Sequence, residues 1–297
     1  MYLVFDIGGT FVKYGVLDEN GKIEAKGKVP TITEDREGFL KSIAEIYESV
    51  REYGIEGIAL SVPGLIDSKN GVLNSGGALH CMYGRNIAQE ISLSCDQLRV
   101  SVENDGKCVG LAEAWMGAAK GEKTSCTLVF GTGVGGSVVI NNRVHHGTHL
   151  IAGELSYLIA PKDYKDISVS RFGTDYSTRG IVNKAKEAYQ DEEMTGEKLF
   201  ELYHEHDTKA VEILEDFFFN VACQCYNIQY LIDPGVICIG GGISQQSAVV
   251  DGIDRYIQKI YMNTRQFRMP KILPCKFLSD SNMIGALYVF KKQYEIA

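Results

Sequence analysis

The sequence predicts an α/β protein made of two related lobes with a central cleft. Segments with the apolar pattern of strands alternate with segments of helical periodicity along the 297 residues. Residues 6–16 (DIGGTFVKYGV) and 130–140 (FGTGVGGSVVI) each have the pattern of a strand, a glycine-rich turn and a hairpin. This similarity indicates an internal duplication, and the cleft between two such halves is a favoured place for ligands.

The first half predicts a strand, a hairpin, a helix and two further strands. Residues 2–7 form the first strand, and residues 11–23 form a hairpin around the turn signal Asp18-Glu19-Asn20-Gly21. Residues 35–54 have helical periodicity with charged faces. Two more buried strands are predicted, in 54–64 (GIEGIALSVPG) and 98–105 (LRVSVEND). A helix then runs from residue 106 to Gly121.

The second half repeats this order. Residues 124–136 form a strand and a glycine turn, and residues 135–147 continue as a second strand with an Asn-Asn turn at 141–142. A long helix is predicted over 206–231. Residues 233–244 (DPGVICIGGGIS) give another strand and glycine turn, and a helix follows over 249–263.

Composition and charge exclude several classes of protein. The net charge of −8 and the isoelectric point near 5.4 argue against a broad nucleic-acid interface. No signal peptide and no apolar run of membrane-spanning length are present. The eight cysteines are scattered, several within apolar runs, which is typical of reduced and buried thiols. We therefore expect a cytoplasmic protein with no membrane and no nucleic-acid partner.

Three glycine-rich turns are candidate phosphate sites. Residues 6–10 (DIGGT) follow a strand, and glycine lets the backbone approach a ligand closely and present N–H groups to phosphate. Residues 131–136 (GTGVGG) precede a strand, so they are not a dinucleotide fingerprint, which must open a helix. Residues 240–244 (GGGIS) lead towards a helix, whose N-terminus suits an anion. The alternative for each is a plain turn or connection.

The segment 103–105 (END) ends a buried strand and precedes a helix. One interpretation is an N-cap, because Asn or Asp before a helix satisfies its first N–H groups. The other is a catalytic base, because proton acceptors sit on positioned side chains. Asn104 beside Asp105 would supply an amide and a carboxylate to vicinal hydroxyls. Both roles can occur at one location.

Taken together, these motifs resemble the ROK family (repressor, open reading frame, kinase) of sugar kinases over nearly the whole chain. The motifs that carry the resemblance are DIGGT with Lys13 nearby, SVPGLID at 61–67, ENDGKCVGLAE at 103–113, GTGVGG at 131–136, AGELSYL at 152–158 and DPGVICIGGGIS at 233–244. The resemblance implies two actin-like (ribonuclease H-like) lobes with ATP between them. It also implies that Mg²⁺ binds with ATP and that the γ-phosphoryl group is transferred to a sugar hydroxyl. The 6-OH is the expected acceptor.

The same resemblance implies roles for single residues. Asp105 would be the general base, and Asn104 and Glu154 would bind sugar hydroxyls, with Gly76, Gly77 and Tyr157 in the same pocket. The cofactor residues would be Asp6, Gly8, Gly9, Thr10, Lys13, Gly131, Thr132, Gly133, Gly135, Gly241 and Gly242, with Mg²⁺ near Asp6. The N-terminal domain, on the sugar and phosphate side, would comprise residues 1–118 and a C-terminal helix at about 281–297. The C-terminal domain, on the nucleotide side, would comprise residues 119–280.

One departure from the family pattern concerns a structural zinc. Tyr157 stands where many members have a histidine ligand, and residues 166–180 (DISVSRFGTDYSTRG) contain no cysteine. We therefore expect no zinc. The loop 155–180 must then be ordered without zinc. We hypothesise that packing of Tyr157, Phe172 and Tyr176 orders it. The usual second sugar-binding Glu maps to Thr174 or Asp175.

Other features keep two interpretations. His145, His146 and His149 could bind a metal or lie on a solvent-facing hairpin connection, and the aromatic run 217–219 could pack in the core or at a subunit interface.

The resemblance implies a glucose-type hexose or a β-glucoside as the substrate, with N-acetylmannosamine and fructose as alternatives. It also implies that the protein is a homodimer. The rivals are a sugar-responsive repressor, which needs an N-terminal helix-turn-helix, and a non-catalytic sugar-binding protein.

Overall fold

The computed structural model describes residues 1–75, 77–159, 171–265 and 267–296. The chain divides into two compact units. Unit 1 comprises Met1–Trp115, His146–Ala152 and Asp280–Ala297, and unit 2 comprises Met116–His145 and Gly153–Ser279. Each unit contains a five-stranded sheet and its own hydrophobic core. The predicted α/β class is therefore confirmed.

Unit 1 begins with the predicted strand, hairpin and helix. Its elements, in chain order, are β1 (Tyr2–Ile7), β2 (Phe11–Leu17), β3 (Ile23–Pro30), α1 (Arg36–Val50), β4 (Gly57–Val62), β5 (Leu65–Asp67), β6 (Val72–Ser75), β7 (Arg85–Asn86), α2 (Ile87–Ser94), β8 (Val100–Asn104) and α3 (Asp105–Met116). The main sheet has the order β3-β2-β1-β4-β8. Its first three strands are antiparallel neighbours, whereas β4 is parallel to both β1 and β8.

Unit 2 repeats this arrangement. Its elements are β9 (Thr124–Phe130), β10 (Val134–Ile140), β11 (Arg143–Val144), α4 (Phe172–Asp175), α5 (Thr178–Tyr189), α6 (Gly196–His204), α7 (Thr208–Ile232), β12 (Val236–Gly240), α8 (Ser247–Thr264) and β13 (Ile272–Pro274). The sheet order is β11-β10-β9-β12-β13, with an antiparallel β9–β10–β11 meander and parallel β9–β12 and β12–β13 pairs. The two sheets therefore have the same strand order and the same pattern of parallel and antiparallel pairs. This confirms the predicted duplication.

The last helix, α9 (Ser281–Gln293), belongs to unit 1. Its apolar residues Met283, Leu287 and Phe290 are buried in one cluster with Tyr2, Val4 and other sheet residues. The ring of Phe290 lies so close to β4 that a Cβ at Gly57 would overlap it. Glycine is needed at this position because of that close approach.

Two element predictions need correction. The helix α3 ends at Met116, and residues 117–121 form turns in which Gly121 has a φ of +88°. Gly121 therefore ends these turns and not the helix, because glycine adopts the left-handed conformation without strain. The small sheet of β5, β6 and β7 was not predicted, because its strands of two to four residues are too short to show a pattern.

The hypothesis for the loop 155–180 is right for two of its three residues. Phe172 and Tyr176 are buried and their ring centroids are 5.6 Å apart. Tyr157 is 66% exposed, so it does not take part in that packing. Residues 160–170 of this loop lie outside the described residues. In the aromatic run 217–219, Phe217 and Phe218 are in the core, whereas Phe219 is exposed.

The cysteines agree with the sequence-based expectation of free and mostly buried thiols. All eight cysteines are free thiols and six of them are buried. Burial raises the pKa of Cys95 to about 11 and that of Cys126 to about 12, so both stay protonated and unreactive at neutral pH. Within the described ranges, no helix combines the length and apolar character that a membrane span requires.

A carboxylate on α7 joins three helices of unit 2. Glu215 accepts hydrogen bonds from the hydroxyls of Tyr203 (3.0 Å) on α6 and Tyr256 (2.8 Å) on α8. Arg255 Nη2 donates to both carboxylate oxygens at 2.6 and 2.7 Å. Burial favours protonation of Glu215, but the hydrogen bonds from Tyr256, Tyr203 and Arg255 outweigh it and lower its pKa.

Replacing Glu215 with Ala is expected to lower the free energy of unfolding by about 2–3 kcal/mol at pH 7, because three donors lose a charged acceptor. Since the pKa is lower in the folded state, this contribution is present above the ordinary glutamate pKa and is lost as the pH falls through the lowered value. Urea unfolding at pH 7 and at acidic pH would measure both effects. Glu212→Ala, an exposed residue of the same helix, is the control and should change stability little.

Candidate functional site

The junction of β8 and α3 carries the predicted base. Asn104 is the last residue of β8 and Asp105 is the first of α3. The Asn104 Oδ1 accepts a hydrogen bond from Lys107 N at 3.1 Å, and its Nδ2 donates to Gly64 O at 3.0 Å. Asn104 is therefore the N-cap. The cap is thus on Asn104, and the next residue, Asp105, stays the candidate base.

Asp105 lies at the positive end of the α3 dipole. Gly106 N donates to its Oδ1 at 2.8 Å, and the side chain is partly exposed. A carboxylate in the first turn of a helix is stabilised by the free N–H groups there. The strand behind it is fully buried, which gives a rigid support. Such a carboxylate can accept a proton from a hydroxyl within hydrogen-bond distance.

The side chain before Asn104 has an unexpected partner. Glu103 is 2% exposed, and its Oε2 lies 2.8 Å from His146 Nε2. The expectation for His146 was a metal site or a solvent-facing connection, and the contact with a buried carboxylate corrects it. His145 and His149 are exposed. In the part of the chain that the structure describes, no three potential metal ligands lie together.

Asp6 lies at the centre of a polar cluster at the end of β1. Its Oδ1 accepts from Asn282 Nδ2 at 2.8 Å and lies 3.4 Å from Ser61 Oγ. Lys13 Nζ is 3.6 Å from its Oδ2. Asp6 is therefore held in place from β2, β4 and α9, which suits a carboxylate that positions a metal-bound water. Ser61 and Asn282 were not identified from the sequence.

The first glycine turn uses one of its N–H groups internally. Gly8 N donates to Phe11 O at 3.0 Å, and Gly8 O accepts from Thr31 Oγ1 at 2.7 Å. The N–H of Gly8 is thus engaged in the hairpin, which weakens its predicted role as a phosphate donor. Gly9 and Thr10 are exposed at the tip of the turn and remain the better candidates.

Of the two predicted sugar-side glycines, Gly77 lies beside this region. Gly77 has a φ of +70°, and its Cα lies against the carbonyl of Pro63. The next residue of the same turn, Gly64, accepts the hydrogen bond from Asn104. The turn at 63–64 therefore connects Gly77 to Asn104. Gly76 lies outside the described residues.

These residues meet at one edge of the sheet in unit 1. The parallel strands β1, β4 and β8 end at Ile7, Val62 and Asn104, next to the turn at 8–10, the turn at 63–64 and Asp105. Ligands of open α/β sheets bind outside the carboxyl ends of the strands. The edge carries carboxylates, an amide and glycine turns, which suits a polyhydroxylated ligand.

Unit 2 contains the other two predicted sugar residues. Glu154 precedes a short 3₁₀ helix, Leu155–Tyr157, and is partly buried. Leu155 packs into the core of unit 2, and Gly173 lies against Ser156. Tyr157 is exposed on the same short helix. Its substrate role stays a prediction.

A cavity of about 450 Å³ in unit 2 lies between the second and third glycine turns. Its lining residues are Phe130, Gly131, Thr132, Thr178, Arg179, Ile181, Gly196, Glu197, Phe200, Gly242, Ile243, Gln245 and Gln246. The volume falls within the range of small-molecule sites. A Cβ at Gly131 or Gly242 would meet no atom within 4 Å, so these glycines leave the backbone open to a ligand.

Gly133, Gly135 and Gly241 do not line this cavity. Gly131 N donates to Gly133 O at 2.9 Å, which closes the turn before β10. Gly241 has a φ of +90°, and a Cβ there would overlap the Phe130 carbonyl oxygen. Gly133 and Gly241 shape the turns that hold Gly131, Thr132 and Gly242 at the cavity wall.

The cavity also contains residues that the sequence analysis missed. Arg179 is exposed in the first turn of α5, and its backbone N donates to Gly131 O at 3.2 Å. Thr178 Oγ1 donates to Phe130 O at 3.2 Å. Arg179 and Glu197 are the cationic and anionic residues of the lining. The signal that could have found Arg179 is its position after the cap Ser177, where a helix N-terminus attracts anions.

Comparison with known proteins identifies one family throughout. A family model described as the ROK family matches residues 2–293. The chain is 28% identical over 293 residues to the beta-glucoside kinase of Listeria innocua, with 97% of each protein covered. It is 28% identical over 306 residues to the N-acetyl-D-glucosamine kinase of Vibrio atlanticus, covering 97% of this chain and 99% of that protein.

A solved structure is similar over the same length. The crystal structure of a ROK family protein from Streptococcus pneumoniae in complex with sucrose is 30% identical and has a TM-score of 0.90, with 99% of each chain covered. Together these matches confirm the resemblance found in the motifs and the actin-like fold of two lobes that it implied.

Proposed function

The chain belongs to the ROK family, and on that premise we propose that it is an ATP-dependent sugar kinase acting on a glucose-type hexose or a β-glucoside. The observation that carries the proposal is the β8–α3 junction, where Asn104 caps the helix and leaves Asp105 as a positioned carboxylate. A capping role alone would need only Asn104. The additional carboxylate of Asp105 lies at the edge where the parallel strands end, and it could act as the base that takes the proton of an attacking hydroxyl.

The acceptor side of the reaction is assigned to unit 1. The sugar hydroxyl that attacks the γ-phosphorus of ATP would donate its hydrogen bond to Asp105. Asp105 takes the proton as the new P–O bond forms and the bond from the γ-phosphorus to the bridging oxygen breaks, which releases ADP. Asn104 keeps one amide hydrogen and one oxygen lone pair beyond its two internal hydrogen bonds, so it can still bind a neighbouring hydroxyl. Gly77 would line the same pocket, where the lack of a side chain lets it pack against the Pro63 carbonyl.

The donor side is assigned to the cavity of unit 2. A nucleotide would fit here because the backbone is open at Gly131 and Gly242 and because Thr132 lines the cavity. Arg179 would neutralise phosphate charge. Mg²⁺ bound to the donor would neutralise the phosphates, and Asp6 is the carboxylate that fits it. Asp6 is already held by Asn282 and Lys13, so its side chain loses little conformational entropy when the ion binds.

Replacing Arg179 with Ala is expected to raise KM for ATP by about tenfold, because one charge-assisted contact to phosphate is lost. The backbone hydrogen bond from residue 179 to Gly131 O remains, so the turn keeps its shape. Steady-state kinetics at saturating sugar would measure the effect. Arg179→Lys should restore part of it, and KM for the sugar should stay constant. An unchanged KM for ATP would remove Arg179 from the donor site.

The choice of substrate is supported by relatives named as β-glucoside and N-acetylglucosamine kinases. No single residue of the described site selects between these sugars. We therefore keep N-acetylmannosamine and fructose kinase activity as alternatives, and the homodimer and the cytoplasmic location stay predictions. A sugar-binding protein without catalysis is the alternative of a different class.

The test is ADP release with ATP and Mg²⁺ across glucose, cellobiose, fructose, mannose, sucrose, N-acetylmannosamine and N-acetylglucosamine. One sugar that exceeds the others in kcat/KM would establish the kinase and name its acceptor. The 6-deoxy analogue of that sugar should not be phosphorylated if the 6-OH is the nucleophile. Sugar binding by calorimetry without ADP release from a folded protein would favour the non-catalytic alternative.

A further inference from the structure

Glu103 is a buried carboxylate that the proposed reaction does not use. Its Oε1 accepts a hydrogen bond from Asn104 N at 2.8 Å, and its Oε2 lies 2.8 Å from His146 Nε2. A carboxylate only accepts hydrogen bonds, so the imidazole donates from Nε2. A buried charge is tolerated when it is paired and hydrogen-bonded, and both oxygens of Glu103 meet this condition.

His146 begins the segment 146–152, which belongs to unit 1 although it follows β11 of unit 2 in the chain. The segment is closed on itself, since Ala152 N donates to His146 O at 3.1 Å. It contains Leu150 with a φ of +64°, an unfavourable conformation for a leucine. Such a residue persists only where its surroundings hold it.

A second contact joins this segment to the same junction. Lys107 is 2% exposed, and its Nζ lies 3.5 Å from Leu150 O, at the outer limit of a hydrogen bond. Lys107 N is the donor that Asn104 caps. The segment 146–152 therefore contacts the strand end through Glu103 and the first turn of α3 through Lys107, on both sides of Asn104 and Asp105.

We propose that Glu103 and His146 form a positioning pair that holds Asn104 and Asp105 in the orientation needed by the acceptor. The inference rests on the proposed kinase function. The Glu103 side chain folds back onto the N–H of Asn104, and His146 fixes its other oxygen. Without His146, Oε2 loses its donor in a buried place, and the carboxylate must turn towards water. The peptide of Asn104 then loses its support, and Asp105 moves with it.

His146 and His149 differ in a way that supports this role. His146 has a side chain 31% exposed and a buried carboxylate partner. His149 is exposed on the same segment, with no side-chain hydrogen bond or ion pair found to the described residues. His146 does not itself contact the reacting atoms in this proposal. It acts through Glu103, and a displacement of about 1 Å at a reacting group is enough to cost a large part of the rate.

The experiment compares His146→Ala, His146→Gln and the control His149→Ala in the full-length protein. We expect His146→Ala to lower kcat by about tenfold or more, while KM for ATP stays within about twofold. Glutamine keeps an N–H donor for Glu103, so His146→Gln should recover most of the rate. His149→Ala should match the wild type. An unchanged kcat in His146→Ala, or equal losses in Ala and Gln, would overturn the proposal.

A double-mutant cycle with Glu103→Gln tests the pairing itself. If the residues act as a pair, the double variant Glu103→Gln/His146→Ala loses no more rate than the worse single variant. If the fold-losses multiply, the two residues act independently and the pair is rejected. His146→Gln keeps the test valid should Glu103→Gln fold poorly.

Hydrogen exchange separates failure of this inference from failure of the proposed function. Peptides that cover residues 100–107 and 146–152 should exchange faster in His146→Ala than in the wild type, and His146→Gln should resemble the wild type. This readout needs no sugar and no turnover. Inactive wild type with the expected exchange would reject the kinase and retain the pair, whereas active wild type without that change would reject the pair alone.

Discussion

Replacing Asp105 with Asn is expected to lower kcat by about 10²–10⁴-fold, the usual contribution of a positioned general base. Asparagine has the same shape and can still accept the hydrogen bond from Gly106 N. It cannot take up the proton of a sugar hydroxyl at neutral pH. The helix cap is on Asn104, so the substitution leaves the start of α3 intact. Stability and sugar affinity should therefore stay close to those of the wild type.

Three measurements on this variant separate catalysis from structure. Single-turnover kinetics report the phosphoryl-transfer step, calorimetry reports sugar affinity, and thermal unfolding reports stability. Asp251→Asn, an exposed residue of α8, is the control for a changed charge. A variant Asp105→Asn that keeps kcat within about tenfold of the wild type would show that the base is another group. A lost fold would show that Asp105 is needed for the junction itself.

Replacing Gly241 with Ala is expected to destabilise unit 2 by about 3–5 kcal/mol, because strain and steric overlap combine. The φ of +90° with ψ of 170° is accessible to glycine almost alone. A methyl group would also overlap the Phe130 carbonyl oxygen, which belongs to the strand that leads into the second glycine turn. We expect a fall in Tm of about 10 °C and weaker ATP binding.

Gly242→Ala is the matched control for this prediction. The neighbouring glycine has no positive φ, and a Cβ there would meet no atom within 4 Å. Its methyl group would point into open space, so stability should stay within about 0.5 kcal/mol of the wild type. Differential scanning calorimetry of both variants tests the contrast. Equal Tm values would mean that the turn adapts without cost and that Gly241 is not conformationally required.

Much of the fold could be predicted because local patterns and tertiary burial agree in it. The runs YLVFDI and VICIG are fully buried strands, and each is followed by glycines, of which Gly241 has a positive φ. The hairpin turn at 141–142 follows from two asparagines, which tolerate the positive φ that the structure shows. The end of α3 was misjudged because residues 117–120 continue a helix-like composition, and Gly121, the expected end of the helix, ends the turns after it instead.

The candidate site was predictable where it depends on neighbours in sequence. The motif at 103–105 predicts a strand end and a helix cap, and both occur. The partners of these residues were not predictable, since they come from distant parts of the chain. Asn282 is 276 residues from Asp6, and His146 is 43 residues from Glu103. No local periodicity encodes such contacts, because they follow from how the elements pack.

The position of α9 has a consequence for the order in which the protein folds during its synthesis. Tyr2, Val4 and Ala59 share a core with Met283, Leu287 and Phe290, so one face of the first sheet stays uncovered until the last helix is made. Translation proceeds at about 5–20 residues per second, and domains usually fold in the order in which they emerge. Here residues 153–279 of unit 2 are available earlier than α9. The half of the protein that the ribosome makes first is therefore the half that completes its core last.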